Sequence, residues 1–161
     1  MNSRANFEHG LALIGGQRYD DAIASLKRSI ELEPRFFVPS LALAYLYEKL
    51  GRAQEALALL DRPEFRPSAY LATAYARLGR RTEALAMLRA LGGPKGISDR
   101  HSIAPASFAL GDNDTGFKWL KEAFEQREQY MRYLKSDFVY EDSVRSDQRF
   151  TALVSQLKMP E

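Results

Sequence analysis

Two adjacent stretches of the chain say the same thing. Written with a shift of 28 residues, Ser40 to Leu60 (SLALAYLYEKLGRAQEALALL) and Ser68 to Leu88 (SAYLATAYARLGRRTEALAML) agree at 12 of 21 positions, including Leu43/Leu71, Ala44/Ala72, Tyr47/Tyr75, Gly51/Gly79 and Ala56/Ala84. Self-similarity at this kind of period marks a chain built from one supersecondary unit, which buries its apolar face only against its neighbours. The small residue at 56 and 84 has counterparts at Ala22 and Gly116, with spacings of 34, 28 and 32. Four units therefore fit.

Each unit reads as a pair of helices. Leu43, Ala44, Tyr47 and Leu50, then Ala56, Leu57, Leu59 and Leu60, follow the i, i+3, i+4, i+7 stripe of an amphipathic helix and exclude strand alternation. Gly51 and Gly79 stand between the segments, where a helix C-terminus needs a left-handed backbone. The alanines let two helices approach closely, and Tyr47 and Tyr75 supply the bulk opposite them. Pro63 and Pro67 end the second helix of unit two near Leu60 or Asp61, and Ser68 is a fitting N-cap for the helix that follows.

This arrangement resembles the tetratricopeptide repeat, whose pattern units two and three match as Leu43, Ala44, Tyr47, Gly51, Ala56, Leu60 and Leu71, Ala72, Tyr75, Gly79, Ala84, Leu88. Unit one keeps Gly10, Tyr19, Ala22, Leu26 and the closing Pro34. It has Gln17 where the turn glycine belongs, so its turn is expected to be shifted or loosened. Unit four keeps Ala104, Gly111, Leu120 and Ala123, but puts Gly116 in place of the second-helix alanine. Pro105 should make its first helix kink or start late, near Ala104.

The resemblance implies an all-α, right-handed superhelical solenoid of about four hairpins over residues 1–129, with units near 3–34, 37–65, 67–93 and 98–129. A C-terminal tail and capping helix over 130–161 complete it. That tail is similar to the end of many bacterial tetratricopeptide regulators, on the residues Tyr133, Leu134, Lys135, Asp137, Tyr140, Arg145, Ser146, Asp147, Arg149 and Phe150. Phe150, Leu153, Val154 and Leu157 form a stripe suited to cover the open face of the last hairpin.

At 161 residues and 45% hydrophobic content the chain can bury one ordinary core. A formal charge of +2 announces neither nucleic acid nor membrane, and no cysteine is present for disulfides or thiolate metal sites. The N-terminus does not look like a signal peptide and no stretch is long and apolar enough to span a bilayer. With a first repeat starting almost at Met1, the chain reads as a piece of something longer. The expected compartment is the cytoplasm, with the periplasm left open if the parent is a membrane-anchored regulator.

Nothing in the sequence carries catalytic chemistry. His9 and His101 are the only histidines and neither has a second histidine at i+4, so no metal site is expected. GDNDTG (111–116) alternates oxygens like a calcium loop, lacks the bidentate glutamate, and reads as a hairpin turn with an N-cap. The basic residues Lys49, Arg52, Arg77, Arg80, Arg81 and Arg89 read as a solvated ridge near helix C-termini. No enzyme and no cofactor are expected.

In the tetratricopeptide family the first helices line a concave groove. Carried onto this chain, the groove residues are Arg4, Phe7, Leu11, Leu41, Tyr45, Glu48, Lys49, Arg66, Thr73, Arg77, His101 and Phe108. Aromatic and cationic side chains suit a peptide with apolar anchors and a carboxylate. Tyr45 and Arg77 are expected to face the groove with no part in the fold. The family's chaperone-tail clamp is disfavoured, since only Arg66 matches it. The expected function is a scaffold or adaptor binding a protein or peptide. The alternative is a ligand-sensing regulatory domain of a larger bacterial signalling or transcription-regulatory protein, and a homodimer through the solenoid ends is left open.

Overall fold

The computed structural model describes residues 2–62, 68–91, 100–135, 137 and 139–157. Among them are ten α-helices and no strand, so the all-α hairpin-repeat class expected from the sequence is what is observed. The chain forms two compact units, Met1–Arg66 and Pro67–Glu161.

In the first unit α1 (Ser3–Gly15) pairs with α2 (Tyr19–Leu32), and α3 (Val38–Lys49) with α4 (Ala53–Leu60). Asn2 caps α1 by accepting the Ala5 amide at 2.9 Å. The α1–α2 seam is tight and polar: a Cβ on Gly10 would meet the Leu26 side chain at 2.8 Å. Ser29 Oγ donates to the Ser3 carbonyl at 2.7 Å, and Ser25 Oγ to the Asn6 carbonyl at 2.8 Å. His9 Nδ1 lies 3.2 Å from that Ser25 hydroxyl, which makes His9 a seam residue. In the second hairpin Leu43, Ala44, Leu46, Tyr47, Ala56 and Leu60 are buried, as the stripe requires.

In the second unit α5 (Ala69–Arg77) pairs with α6 (Arg81–Ala90), and α7 (Ala104–Ala109) with α8 (Asn113–Glu125). Ser68 caps α5 through the Leu71 amide, and α4 stops at Leu60, both as the prolines and the serine indicated. Pro105 sits in the first turn of α7, where its missing donor costs nothing, and a short 3-10 turn over Arg100–Ser102 precedes it. A second 3-10 turn (Gln129–Tyr133), the short α9 (Asp142–Arg145) and α10 (Gln148–Gln156) follow. The sequence foresaw one cap helix, and α9 is additional. Met131, Leu134, Tyr140, Val144, Phe150 and Leu153 are buried in one core with Phe117, Leu120 and Ala123. Burying one such side chain stabilises by about 1.5–3 kcal/mol, so the tail is integral to this unit.

Five helix ends share one chemistry. After α3 the Arg52 amide returns to the Tyr47 carbonyl at 2.7 Å and the Gly51 amide to Glu48 at 3.0 Å, a Schellman motif with Gly51 at φ +72°. The pattern recurs at Gly79 and Gly111, and also at Gln17 (φ 58°) and Arg127 (φ 55°). The turn of unit one is therefore neither shifted nor loosened: the hydrogen bonds of the motif hold Gln17 in the left-handed conformation that the other hairpins give to glycine.

Candidate functional site

On α1 the buried row Ser3, Asn6, Gly10 and Leu13 faces the hairpin partner. Arg4, Phe7 and Leu11 lie one residue further on, about 100° round the helix. Arg4 is exposed and pairs with Glu8 at 3.5 Å, while Phe7 and Leu11 are part-exposed. The Phe7 ring meets Phe36 edge-on at 5.6 Å. On α3 the part-exposed Leu41, Tyr45 and Glu48 follow i, i+4, i+7, with exposed Lys49 beside them. Both first helices of this unit thus present an apolar row flanked by charge.

The second unit treats its first helices differently. Thr73 is only 4% exposed, and its hydroxyl donates to the Ala69 carbonyl at 2.9 Å. Arg77, expected to have no part in the fold, has a side chain only 13% exposed. It donates to the Val139 carbonyl and pairs with Glu141 at 3.7 Å. Phe108 packs edge-on against Phe117 at 4.9 Å and Tyr140 at 6.1 Å. The His101 carbonyl accepts from Tyr140 Oη at 3.2 Å, and its ring stacks on Tyr130 at 5.2 Å. Arg66 falls outside the described residues.

Glu128 organises this corner, and no repeat pattern pointed to it. Its carboxylate, 7% exposed, accepts the Arg100 amide (2.9 Å) and guanidinium (3.2 Å) and the His101 amide and Nδ1 (both 3.1 Å). Burial pushes its pKa up, but the hydrogen bonds from Arg100 and His101 outweigh that and hold it below the usual range. Asp137 goes the other way: burial raises its pKa despite the Val139 amide and the nearby His101, Arg145 and Arg77 charges. Burial likewise raises the Tyr140 phenol well above its ordinary value. Arg145 ties the loop by donating to the carbonyls of Tyr140 (2.9 Å), Lys135 (2.8 Å) and Asp137.

Three of the basic residues near the turns are engaged. Arg52 stacks over Tyr47 at 4.4 Å and bonds Glu55, Arg80 stacks over Tyr75 at 4.6 Å and bonds Glu83, and Arg81 donates to the Leu110 carbonyl. Asp112 caps α8 through the Thr115 amide, the role read from GDNDTG. Among the described residues no group of three or more His, Asp or Glu could hold a metal ion, and no helix is long and apolar enough to cross a membrane. An open groove of about 530 Å³ lies between α8 and α10, floored by Phe117, Phe124 and Leu153 with Lys118 and Lys121 at its edge.

Residues 13–67 match the family model described as Tetratricopeptide repeat. No curated protein matches this chain.

Proposed function

Residues 13–67 carry the tetratricopeptide repeat, and on that premise we propose that the chain is a member of that family and a non-enzymatic interaction module which takes a protein or peptide partner on the first helices of residues 1–66. Repeats of this family generally mediate protein–protein interaction. The observation that carries the finer reading is the row of spaced aromatic and aliphatic side chains on α1 and α3, bordered by charge. Phe7, Leu11, Leu41 and Tyr45 keep part of their surface exposed, with Arg4, Glu48 and Lys49 beside them. Their counterparts Thr73, Arg77, His101 and Phe108 are used inside the second unit. Aromatic and aliphatic anchors bordered by charge are the composition of a peptide-reading surface.

The test is site-specific photo-crosslinking. A benzophenone side chain at Leu11 or Tyr45 is expected to trap a discrete partner in the native cell, whereas the same group at the exposed Glu31 of α2 traps none. Equal crosslinking at all three positions would contradict the assignment.

A further inference from the structure

The groove between α8 and α10 is apolar below and charged above. Phe117, Lys118, Lys121 and Phe124 line it from α8, and Ala152 and Leu153 face them from α10. Phe117, Phe124 and Leu153 make the floor, which runs for about 10 Å along α8 at the ordinary helical rise. That floor is recessed, with Phe117 and Leu153 only 6% and 9% exposed. A polymethylene chain reaches down to it, whereas a helix about 10–12 Å across rests on the rim. The volume of about 530 Å³ falls within the roughly 300–1,000 Å³ of small-molecule sites.

The available charge lies on the α8 edge. Arg149, on the α10 side, is already spent: it donates to Asp114 at 2.8 Å and to Asp147 at 2.9 Å, and lies over the Phe117 ring at 4.0 Å. Lys118 and Lys121 are both exposed and are neighbours at i, i+3. Among the described residues Lys118 makes no ion pair. Lys121 pairs with Glu125 at 3.8 Å across an exposed surface, a contact worth little against water. Two ammonium groups on flexible stems thus border an apolar floor, within reach of an anion raised from it.

We propose that this groove binds a single molecule of an elongated apolar carboxylate, of the fatty-acid class, with its chain laid over Phe117, Phe124 and Leu153 and its carboxylate held by Lys118 and Lys121. Apolar area removed from water supplies the affinity, and the lysines select the anion. The site lies within residues 67–161 and is independent of the reading of residues 1–66.

The experiment titrates the full chain calorimetrically with sodium octanoate, and with octanol as the uncharged chain of equal length, both below the concentration at which they self-associate. Octanoate is expected to saturate a single site and to bind at least about tenfold more tightly than octanol, the effect expected of a charge-assisted contact. Lys118→Gln combined with Lys121→Gln should abolish that preference and leave octanol within about twofold of wild type. Ala152→Phe, at an exposed position of α10, sets a ring into the groove and should weaken both ligands at least about tenfold. All three substitutions fall at exposed helix positions, where the fold tolerates change. Equal wild-type affinities for octanoate and octanol overturn the proposal, as does octanoate binding that appears only on its micelles. An octanoate affinity unchanged in the double lysine variant would take the anion elsewhere, and one unchanged in Ala152→Phe would take the chain elsewhere; either result overturns it.

Discussion

The ring of Phe108 fills the space in which a side chain at residue 116 would begin: a Cβ built on Gly116 would lie 2.5 Å from Cε1 of that ring. Units one to three hold alanine at the equivalent place, and Ala22, Ala56 and Ala84 are fully buried. The fourth hairpin has exchanged a methyl group for a larger aromatic on the facing helix. Gly116→Ala is therefore expected to destabilise the chain by about 1–3 kcal/mol, the usual cost of overpacking. In a Phe108→Leu background the same change should cost less, and the non-additivity in urea unfolding measures the coupling.

Gln17 pays a backbone penalty that its three glycine counterparts avoid. Gln17→Gly is expected to raise stability by up to about 1 kcal/mol, while Gly51→Ala and Gly79→Ala each lower it by about 1–2 kcal/mol. A Cβ at Gly51 or Gly79 would meet nothing within 4 Å, so the loss there is conformational rather than steric. Thermal or urea unfolding of the three variants gives the comparison.

These two cases show what the sequence does and does not disclose. Helices, turns and caps are local, so Gly51, Gly79, Ser68 and the late start at Ala104 could be read from neighbours in the chain. Gln17 could not, because the hydrogen bonds of its motif, rather than its own preference, set its backbone. The surface positions divide in the same way. Leu11 and Tyr45 follow from helical spacing alone. Arg77 and Phe108 have the same spacing, but their surroundings are set by Val139, Tyr140 and Glu141, more than thirty residues on, and no periodicity reports a contact of that range.

Glu128→Gln should uncover the corner that no motif announced. Losing a buried carboxylate that accepts four hydrogen bonds is expected to cost about 1–3 kcal/mol at pH 7. Because the folded pKa lies below the unfolded value, this stabilisation is present above the ordinary glutamate value of about 4.3 and disappears as pH falls through the folded one. Wild type and variant should accordingly converge in urea midpoint on acidification.

Asp137→Asn should show the opposite sign. The folded pKa of Asp137 is raised by burial, so its favourable contribution is complete below the ordinary aspartate value of about 3.9 and is lost as pH rises through the folded value. Asparagine keeps an acceptor for the Val139 amide without the charge. The variant is expected to have the higher urea midpoint at pH 7, with the difference closing as pH approaches 4.

If residues 1–66 carry the partner surface, affinity depends on single side chains of α1 and α3. Peptides are selected by display against the immobilised full chain, and the best is titrated calorimetrically against wild type, Tyr45→Ala and the opposite-face control Glu31→Ala, with melting temperatures confirmed equal. Loss of an anchor of this kind costs about 1–3 kcal/mol of binding, roughly 5- to 150-fold in Kd. Such a loss is expected for Tyr45→Ala, with an unchanged Kd for Glu31→Ala; an unchanged Kd for Tyr45→Ala, or a loss confined to Glu31→Ala, would place the partner surface elsewhere.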